Sequence, residues 1–235
     1  MFENTTTIIT GGSEGLGKAA AKRISEGGGE VWLLARNSEK LQKAAAELNQ
    51  GQDGDLVKWA ACDVTSKESV DACIAQIKEQ SGTVTNLINC AGIWLQGSTA
   101  NATTDQIKDT VMTNIVGAIH VTQGALPLIE QGHIINVVSL AGVEPDGNWS
   151  TYTASKYGLR GFTDSLRQEL AGQKIKVVGF YPGGISTEFF VNAGLDTPPG
   201  QPWMMKVDDV AKVLVDLMLL PQDIIIEHLE LRKFG

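Results

Sequence analysis

Apolar positions along this chain follow two alternating rhythms. Short β-branched or aliphatic runs recur at Thr5 to Thr10, Glu30 to Ala35, Leu56 to Cys62, Leu87 to Asn89, His133 to Ser139, Ile175 to Tyr181 and Ile224 to Leu229. Each reads as a strand, mostly apolar throughout, as expected where both faces of a sheet are covered. Between them, apolar residues at a spacing of three and four predict helices at Lys18 to about Glu26, Glu39 to Leu48, Ser66 to Gln80, Thr104 to Ile129, Thr151 to Leu170 and Val207 to Leu220. In the third of these, Val70, Cys73, Ile74 and Ile77 share one face. The punctuation agrees: Gly27-Gly28-Gly29 stops the first helix, Ser38 is placed to cap the second, Gly51 to Asp55 is a loop, and Asp63 to Thr65 is a turn. Strand and helix alternate with short links and no linker or repeat intervenes. The expected fold is therefore α/β: one doubly wound, Rossmann-type domain over 1–235, with a parallel seven-stranded sheet between two helical layers.

In such sheets ligands bind outside the carboxyl ends of the strands. The first strand runs straight into Thr10-Gly-Gly-Ser-Glu-Gly-Leu-Gly17, and a helix leaves it. Glycines at this junction let the backbone turn tightly and let a ligand approach it, while the unpaired amides of the new helix attract an anion. Two common glycine motifs do not fit. A triphosphate loop read from Gly12 has Gly17-Lys18 but Ala19 where Mg²⁺ needs a hydroxyl, and Gly11, Gly15 and Gly17 follow GxxxGxG, not GxGxxG.

Composition narrows the classes. At 43% hydrophobic and 20% charged residues the chain is of ordinary globular make-up, with no run long enough to span a bilayer and no secretory leader pattern, so a cytoplasmic location is expected. A net charge of −8 without clustered Lys and Arg argues against nucleic acid. Cys62, Cys73 and Cys90 lack CxxC spacing, and His120, His133 and His228 stand far apart, so free thiols and no metal site are expected.

Chemistry enters with Tyr152 and Lys156, four residues apart on one helix face. An ammonium beside a phenol favours the phenolate and brings the tyrosine toward a usable acid/base range. The same spacing also suits a bland exposed face. Ser139, at a strand end, offers a hydroxyl for a substrate oxygen, whereas Asn114 lies in a helix, where Asn is a poor helix former and commonly just exposed.

Taken together the motifs resemble the short-chain dehydrogenase/reductase family, in its compact single-domain branch. They are TGxxxGxG at Thr10 to Gly17, Asp63-Val64 after the third strand, Asn89-Cys90-Ala91-Gly92 for the family's NNAG, Asn114, Ser139, Tyr152 to Lys156 for YxxxK, and Pro182-Gly183 with Thr187. The resemblance implies that Tyr152 exchanges a proton with the substrate oxygen, that Ser139 hydrogen-bonds that oxygen, and that Lys156 lowers the tyrosine pKa and holds the nicotinamide ribose. It implies that Asn114 orders a water completing a proton relay. The cofactor-binding set it implies is Thr10, Gly11, Ser13, Gly15, Leu16, Gly17, Arg36, Asp63, Val64, Asn89, Ala91, Gly92, Tyr152, Lys156, Pro182, Gly183, Ile185 and Thr187. Cys90 departs from NNAG, and Tyr157 and Tyr181 are rival phenols without a Lys four residues on.

Where a carboxylate would bind the ribose hydroxyl of NAD, this chain has Ala35 followed by Arg36, which suits the extra phosphate of NADP. Glu14 inside the glycine turn points the other way, and NAD stays open. Residues 184–206, with Phe189, Phe190, Trp203, Met204 and Met205, have the composition of a substrate lid, and Trp94, Leu95 and Trp149 are candidates to complete an apolar pocket for a carbonyl or alcohol substrate. Small residues Ala154, Gly158, Gly161 and Ser165 recur along the Tyr152 helix, and the resemblance implies a homodimer or homotetramer through the two long helices and the last strand. Two functions follow as alternatives: an oxidoreductase passing a hydride between NADP(H) and a carbonyl or secondary alcohol, or a dinucleotide-binding sensor or scaffold without turnover.

Overall fold

The computed structural model describes residues 1–52 and 54–234. Strands β1 (Thr6–Thr10), β2 (Glu30–Ala35), β3 (Val57–Ala61), β4 (Asn86–Asn89), β5 (Gln131–Val137), β6 (Lys174–Pro182) and β7 (His228–Leu231) form one sheet in the order 3-2-1-4-5-6-7. Every neighbouring pair is parallel. The winding reverses between β1 and β4, so their carboxyl ends open a crevice at the switch point.

Alternation along each strand sends side chains to two separate cores. Ile9, Leu33, Ile88, Ile135 and Val178 point to the face covered by α1 (Gly15–Glu26), α2 (Ser38–Asn49) and α8 (Val207–Asp216), where Ala20, Ala21, Ile24, Leu41 and Leu214 meet them. Their neighbours Ile8, Trp32, Leu34, Leu87, Ile134 and Val177 point the other way, onto Val70, Ile74, Ile77, Val121 and Leu166 of α3 (Lys67–Ser81), α5 (Gly117–Ala125) and α6 (Ser150–Glu169). Small alanines on α1 let it lie close to α8. A single large-to-small change such as Ile24→Ala, at a side chain with no exposure, is of the kind that costs about 2–5 kcal/mol.

Several boundaries differ from the pattern-based expectation, each for a local reason. Asn37, not Ser38, caps α2, its side chain accepting from the Lys40 amide at 2.9 Å. The expected helix over 104–129 is α4 (Thr104–Val111), a π turn at Met112–Val116, α5 and a 3₁₀ turn at Leu126–Leu128. The expected helix over 207–220 ends as a 3₁₀ turn at Leu217–Leu219. The last strand starts at His228, because Ile224 and Ile225, which look like strand residues, stand exposed at 47% and 37%. Of the expected loop at 51–55, Asp53 lies outside the described residues. A short helix α7 (Phe189–Asn192) interrupts the segment expected to be a loop, and Ile185 bridges Met205 to close its base.

His133 of β5 is buried in the sheet, its Nδ1 hydrogen bonding Asn86 Oδ1 at 3.1 Å while Nε2 has no partner. Burial, helped by Lys176, pushes its pKa down to about 4. The unfolded chain binds this proton near pH 6.5, so stability is present above that pH and is lost as pH falls toward 4. The loss attributable to this ring reaches about 3 kcal/mol. Urea unfolding of wild type and His133→Gln between pH 7 and pH 4 should show a shallower decline in the variant; parallel declines would show that the ring titrates normally.

Candidate active site

The carboxyl ends of β1, β4, β5 and β6 open into one cleft of about 1270 Å³. At one end lies the glycine turn. Gly15 sits at φ +57°, and a Cβ at Gly17 would come within 2.5 Å of the Gly11 carbonyl, so neither position accepts another residue without distortion. Thr10 ties this turn to the next strand end: its Oγ1 accepts from the amides of Cys90 and Ala91, both at 3.0 Å. Asn89 faces inward instead, donating to Asn136 Oδ1 at 2.8 Å and Thr122 Oγ1 at 3.0 Å. Cys90 keeps the backbone contacts of its position, and burial pushes its thiol up to about 11.

The walls hold Gly11, Ser13, Gly15, Leu16, Gly17, Arg36, Asp63, Val64, Ala91, Gly92, Ser139, Tyr152, Lys156, Pro182, Gly183, Ile185 and Thr187. Thr10, Asn89 and Asn114 stand one layer behind. Asn114 belongs to the π turn and is 1% exposed, against the expectation of an exposed helical Asn. Its Oδ1 accepts from Ile93 N at 2.8 Å, and its Nδ2 donates to Ile93 O and Ser155 Oγ, both at 3.0 Å. A π turn inserted where a side chain must bridge to a neighbouring loop is typical of functional sites. Nothing in the local residue pattern signals that extra residue.

Tyr152 and Lys156 lie together at the floor, 3% and 4% exposed. The Lys156 ammonium donates to Val137 O at 3.1 Å and sits 5.7 Å from the centre of the Tyr152 ring. Burial pushes Lys156 down to about 8. It also pushes the Tyr152 phenol above its ordinary value, with hydrogen bonding to Ser139 pulling the other way. This corrects the expectation of a lowered phenol: the ammonium is itself desolvated and spends its hydrogen bond on a backbone carbonyl, so desolvation of the phenol dominates. The rival phenols are accounted for elsewhere. Tyr157 donates to Val143 O at 2.8 Å, and Tyr181 is buried in the core with Val138 and Leu159.

Ser139 follows β5 at φ +130°, a region non-glycine residues rarely enter, and its Oγ accepts from Ala141 N at 3.2 Å. Charge at the glycine end is also arranged. Glu14 is not free: Lys40 reaches it at 2.9 Å and Asn192 of α7 at 2.7 Å. Lys18 pairs with Glu47 and Lys22 with Glu26. Among the described residues at this end, Arg36 is the cation lining the cleft with no carboxylate at ion-pair distance, although its charge helps lower the pKa of nearby Asp63. Sequence reasoning missed Lys40 and Asn192 as partners of Glu14, because no local pattern joins residues of three separate elements. Of the residues expected around an apolar pocket, Trp94, Trp149, Phe189, Phe190 and Trp203 line the cleft, while Leu95, Met204 and Met205 do not.

The fold and site define a class: a doubly wound dinucleotide-type domain with a buried Tyr–Lys pair at the switch-point cleft. The short chain dehydrogenase family model matches residues 5–197, and the chain belongs to that family as an oxidoreductase. An uncharacterized oxidoreductase of Staphylococcus aureus (strain USA300) is 32% identical over 235 residues, covering 99% of this chain and 98% of the relative. Among solved structures, the alcohol dehydrogenase of the archaeon Thermococcus sibiricus, complexed with 5-hydroxy-NADP, matches with TM-score 0.90 at 25% identity, over 97% of this chain and 96% of its own. A closed form of serine dehydrogenase complexed with NADP⁺ matches with TM-score 0.87 at 26% identity, over 97% and 95%. No helix among the described residues is long and apolar enough to cross a membrane.

The Ser139 backbone gives a direct test. Strain of this kind costs about 1–3 kcal/mol, and glycine alone relieves it. Ser139→Gly should therefore be more stable than Ser139→Ala by about 1 kcal/mol or more in denaturant titration; equal stabilities would mean that the position is unstrained.

Proposed function

We propose that the protein passes a hydride between NADP(H) and a carbonyl or secondary alcohol, with Tyr152 as the general acid/base. The observation carrying this reading is the burial of Tyr152 and Lys156 side by side in a cleft whose far end is the glycine turn. The residues fit a nicotinamide dinucleotide. The backbone cradle of Gly11 to Gly17 at the start of α1 suits a pyrophosphate, Asp63 and Val64 would hold the adenine, and Ala91, Gly92, Pro182, Gly183, Ile185 and Thr187, which line the same cleft, would hold the nicotinamide half. The cofactor supplies the hydride, and the protein supplies position and the proton.

Each side chain then has a role. The Tyr152 phenol is protonated at neutral pH, so it would give its proton to a carbonyl oxygen in reduction and accept one back from a hydroxyl in oxidation. Ser139, held by its strained backbone, hydrogen-bonds the same oxygen. Lys156 faces the ribose side and supplies positive charge near the forming oxyanion. Asn114 fixes Ile93 and Ser155 around that lysine, and a water held near it would lead protons to solvent. Residues 184–206 act as a lid over the substrate end.

Arg36, with no carboxylate at ion-pair distance, is the residue proposed to pair with a 2′-phosphate. Glu14 does not oppose this, because Lys40 compensates its charge. Assembly as a homodimer, or a homotetramer, is proposed through α4, α5 and α6. Ile107, Ile119 and Tyr157 are exposed there at 36–40%, and Gly161 meets nothing within 4 Å, whereas Gly158 is taken up by its own chain against Ile115. The open edge of β7 offers a second contact, and a monomeric sedimentation coefficient would contradict both.

Tyr152→Phe should bind NADPH with nearly unchanged affinity, followed by nicotinamide fluorescence, and lose about 10² or more in turnover on a ketone. Near-normal turnover would refute the role of Tyr152, and tight NADPH binding by wild type without turnover of any ketone, aldehyde or alcohol would favour the sensor. Arg36→Ala should weaken NADPH about tenfold or more while leaving NADH within about twofold, the scale of a charge-assisted contact; equal weakening of both would show that Arg36 does not read the phosphate.

A further inference from the structure

The substrate end of the cleft is built from rings. Trp94 is their hub: its ring centre lies 4.4 Å from Tyr152, 4.8 Å from Trp149, 5.1 Å from Phe190 and 6.4 Å from Phe189. Phe190 continues to Trp203 at 5.5 Å. Apart from the tilted Trp94–Tyr152 contact these are edge-to-face arrangements, which aromatic pairs prefer. The rings are not core. They line the open cleft, Trp203 is 49% exposed, and three of the rings ride on the segment over 184–206. The indole Nε1–H of Trp94 is sealed off with no acceptor, a buried donor that the collapsed cage leaves unpaired.

Charge divides the cleft. Its lysines and arginine, apart from Lys156 at the floor, come from α1, the link after β2 and the start of α2, beside the glycine turn. Around the rings, the charged residues lining the wall are Glu144, Asp146 and Glu188, all carboxylates. Glu144 is bound by Arg232 at 2.8 and 2.9 Å, whereas Asp146 and Glu188 have no ion-pair partner among the described residues.

We infer that this cage is an aryl subsite, and that the substrate is a ketone, or its carbinol, bearing an aromatic ring beside the reacting carbon and no anionic group. The inference rests on the reductase reading, since Tyr152 forms both the acid and one wall of the cage. An aryl group entering beside Trp94 exchanges ring–ring contacts for ring–ring contacts, parts the lid rings and frees the indole N–H. A saturated ring fills the same space without the edge-to-face attraction. A carboxylate on the far side of the substrate's ring from the reacting carbon meets Asp146 and Glu188, with Lys156 away at the floor beyond Tyr152, a like-charge arrangement that rejects it.

Three ketones test this, acetophenone and cyclohexyl methyl ketone, which match in size, and the carboxylated 4-acetylbenzoate, each reduced with NADPH. For acetophenone kcat/KM should exceed that for either of the others by about tenfold, the upper range of one aromatic contact. Trp94→Leu should bring the phenyl and cyclohexyl ketones to within about twofold of each other. Equal values for these two in wild type, or a preference for 4-acetylbenzoate, would overturn the aryl subsite. Binding of 1-phenylethanol and 1-cyclohexylethanol to the NADP⁺ complex, read by tryptophan fluorescence, separates this from the chemistry. Tighter phenyl binding with no turnover of any ketone would keep the subsite and remove the reductase, and turnover without phenyl preference in either assay would do the reverse.

Discussion

The Lys156 ammonium, taken out of water and held on the Val137 carbonyl, is the interaction around which the rest of the site is arranged. One of the three ammonium donors is met, by Val137 O, and burial lowers the Lys156 pKa to about 8. Its neighbours follow from it. A Cβ at Gly92 would lie 3.6 Å from Nζ and 3.2 Å from Asn114 Oδ1, so the backbone of Gly92 packs closely over this pair. Asn114 grips Ile93 and Ser155 and so closes the space around the lysine stem. The π turn is the local irregularity that aims Asn114 inward. Tyr152, one turn earlier on α6, shares the same dry floor, and its phenol is therefore pushed up, not down.

The sheet makes this possible at a distance. Reversal of the winding between β1 and β4 leaves a crevice with no helix across it, and four strand ends deliver the glycine turn, the Ala91-Gly92 backbone, Ser139 and Pro182-Gly183 to its walls. Cations gather at the glycine end and rings with carboxylates at the other, so one cleft presents two chemically distinct halves. Asn192 of α7 reaching Glu14 of the glycine turn physically links the halves.

Much of this was legible in the residue pattern, because the patterns had clear physical causes. Continuous apolar runs and the triple glycine placed β1, β2 and the end of α1 almost to the residue, since strand burial and helix stop act locally. Tyr152 and Lys156 were legible because helical spacing alone puts them on one face. What local pattern could not carry was tertiary. The direction of the Tyr152 shift depends on desolvation by residues distant in sequence, such as Trp94. The pairing of Glu14 with Lys40 and Asn192 joins three separate elements. Asn37 took the cap from Ser38 because a side chain one residue earlier reached the Lys40 amide. Ile224 and Ile225 read as a strand because apolar runs look alike whether or not a sheet edge is there to pair with them.

The account turns on Lys156 being desolvated beside Tyr152, and its titration tests that directly. Lysine labelled at Cε with ¹³C, followed by NMR from pH 6 to pH 11 with Lys156→Arg for assignment, should show the Lys156 signal titrating at about 8. Titration near the ordinary lysine value of about 10.4 would mean a solvated ammonium and would contradict the arrangement described for this site.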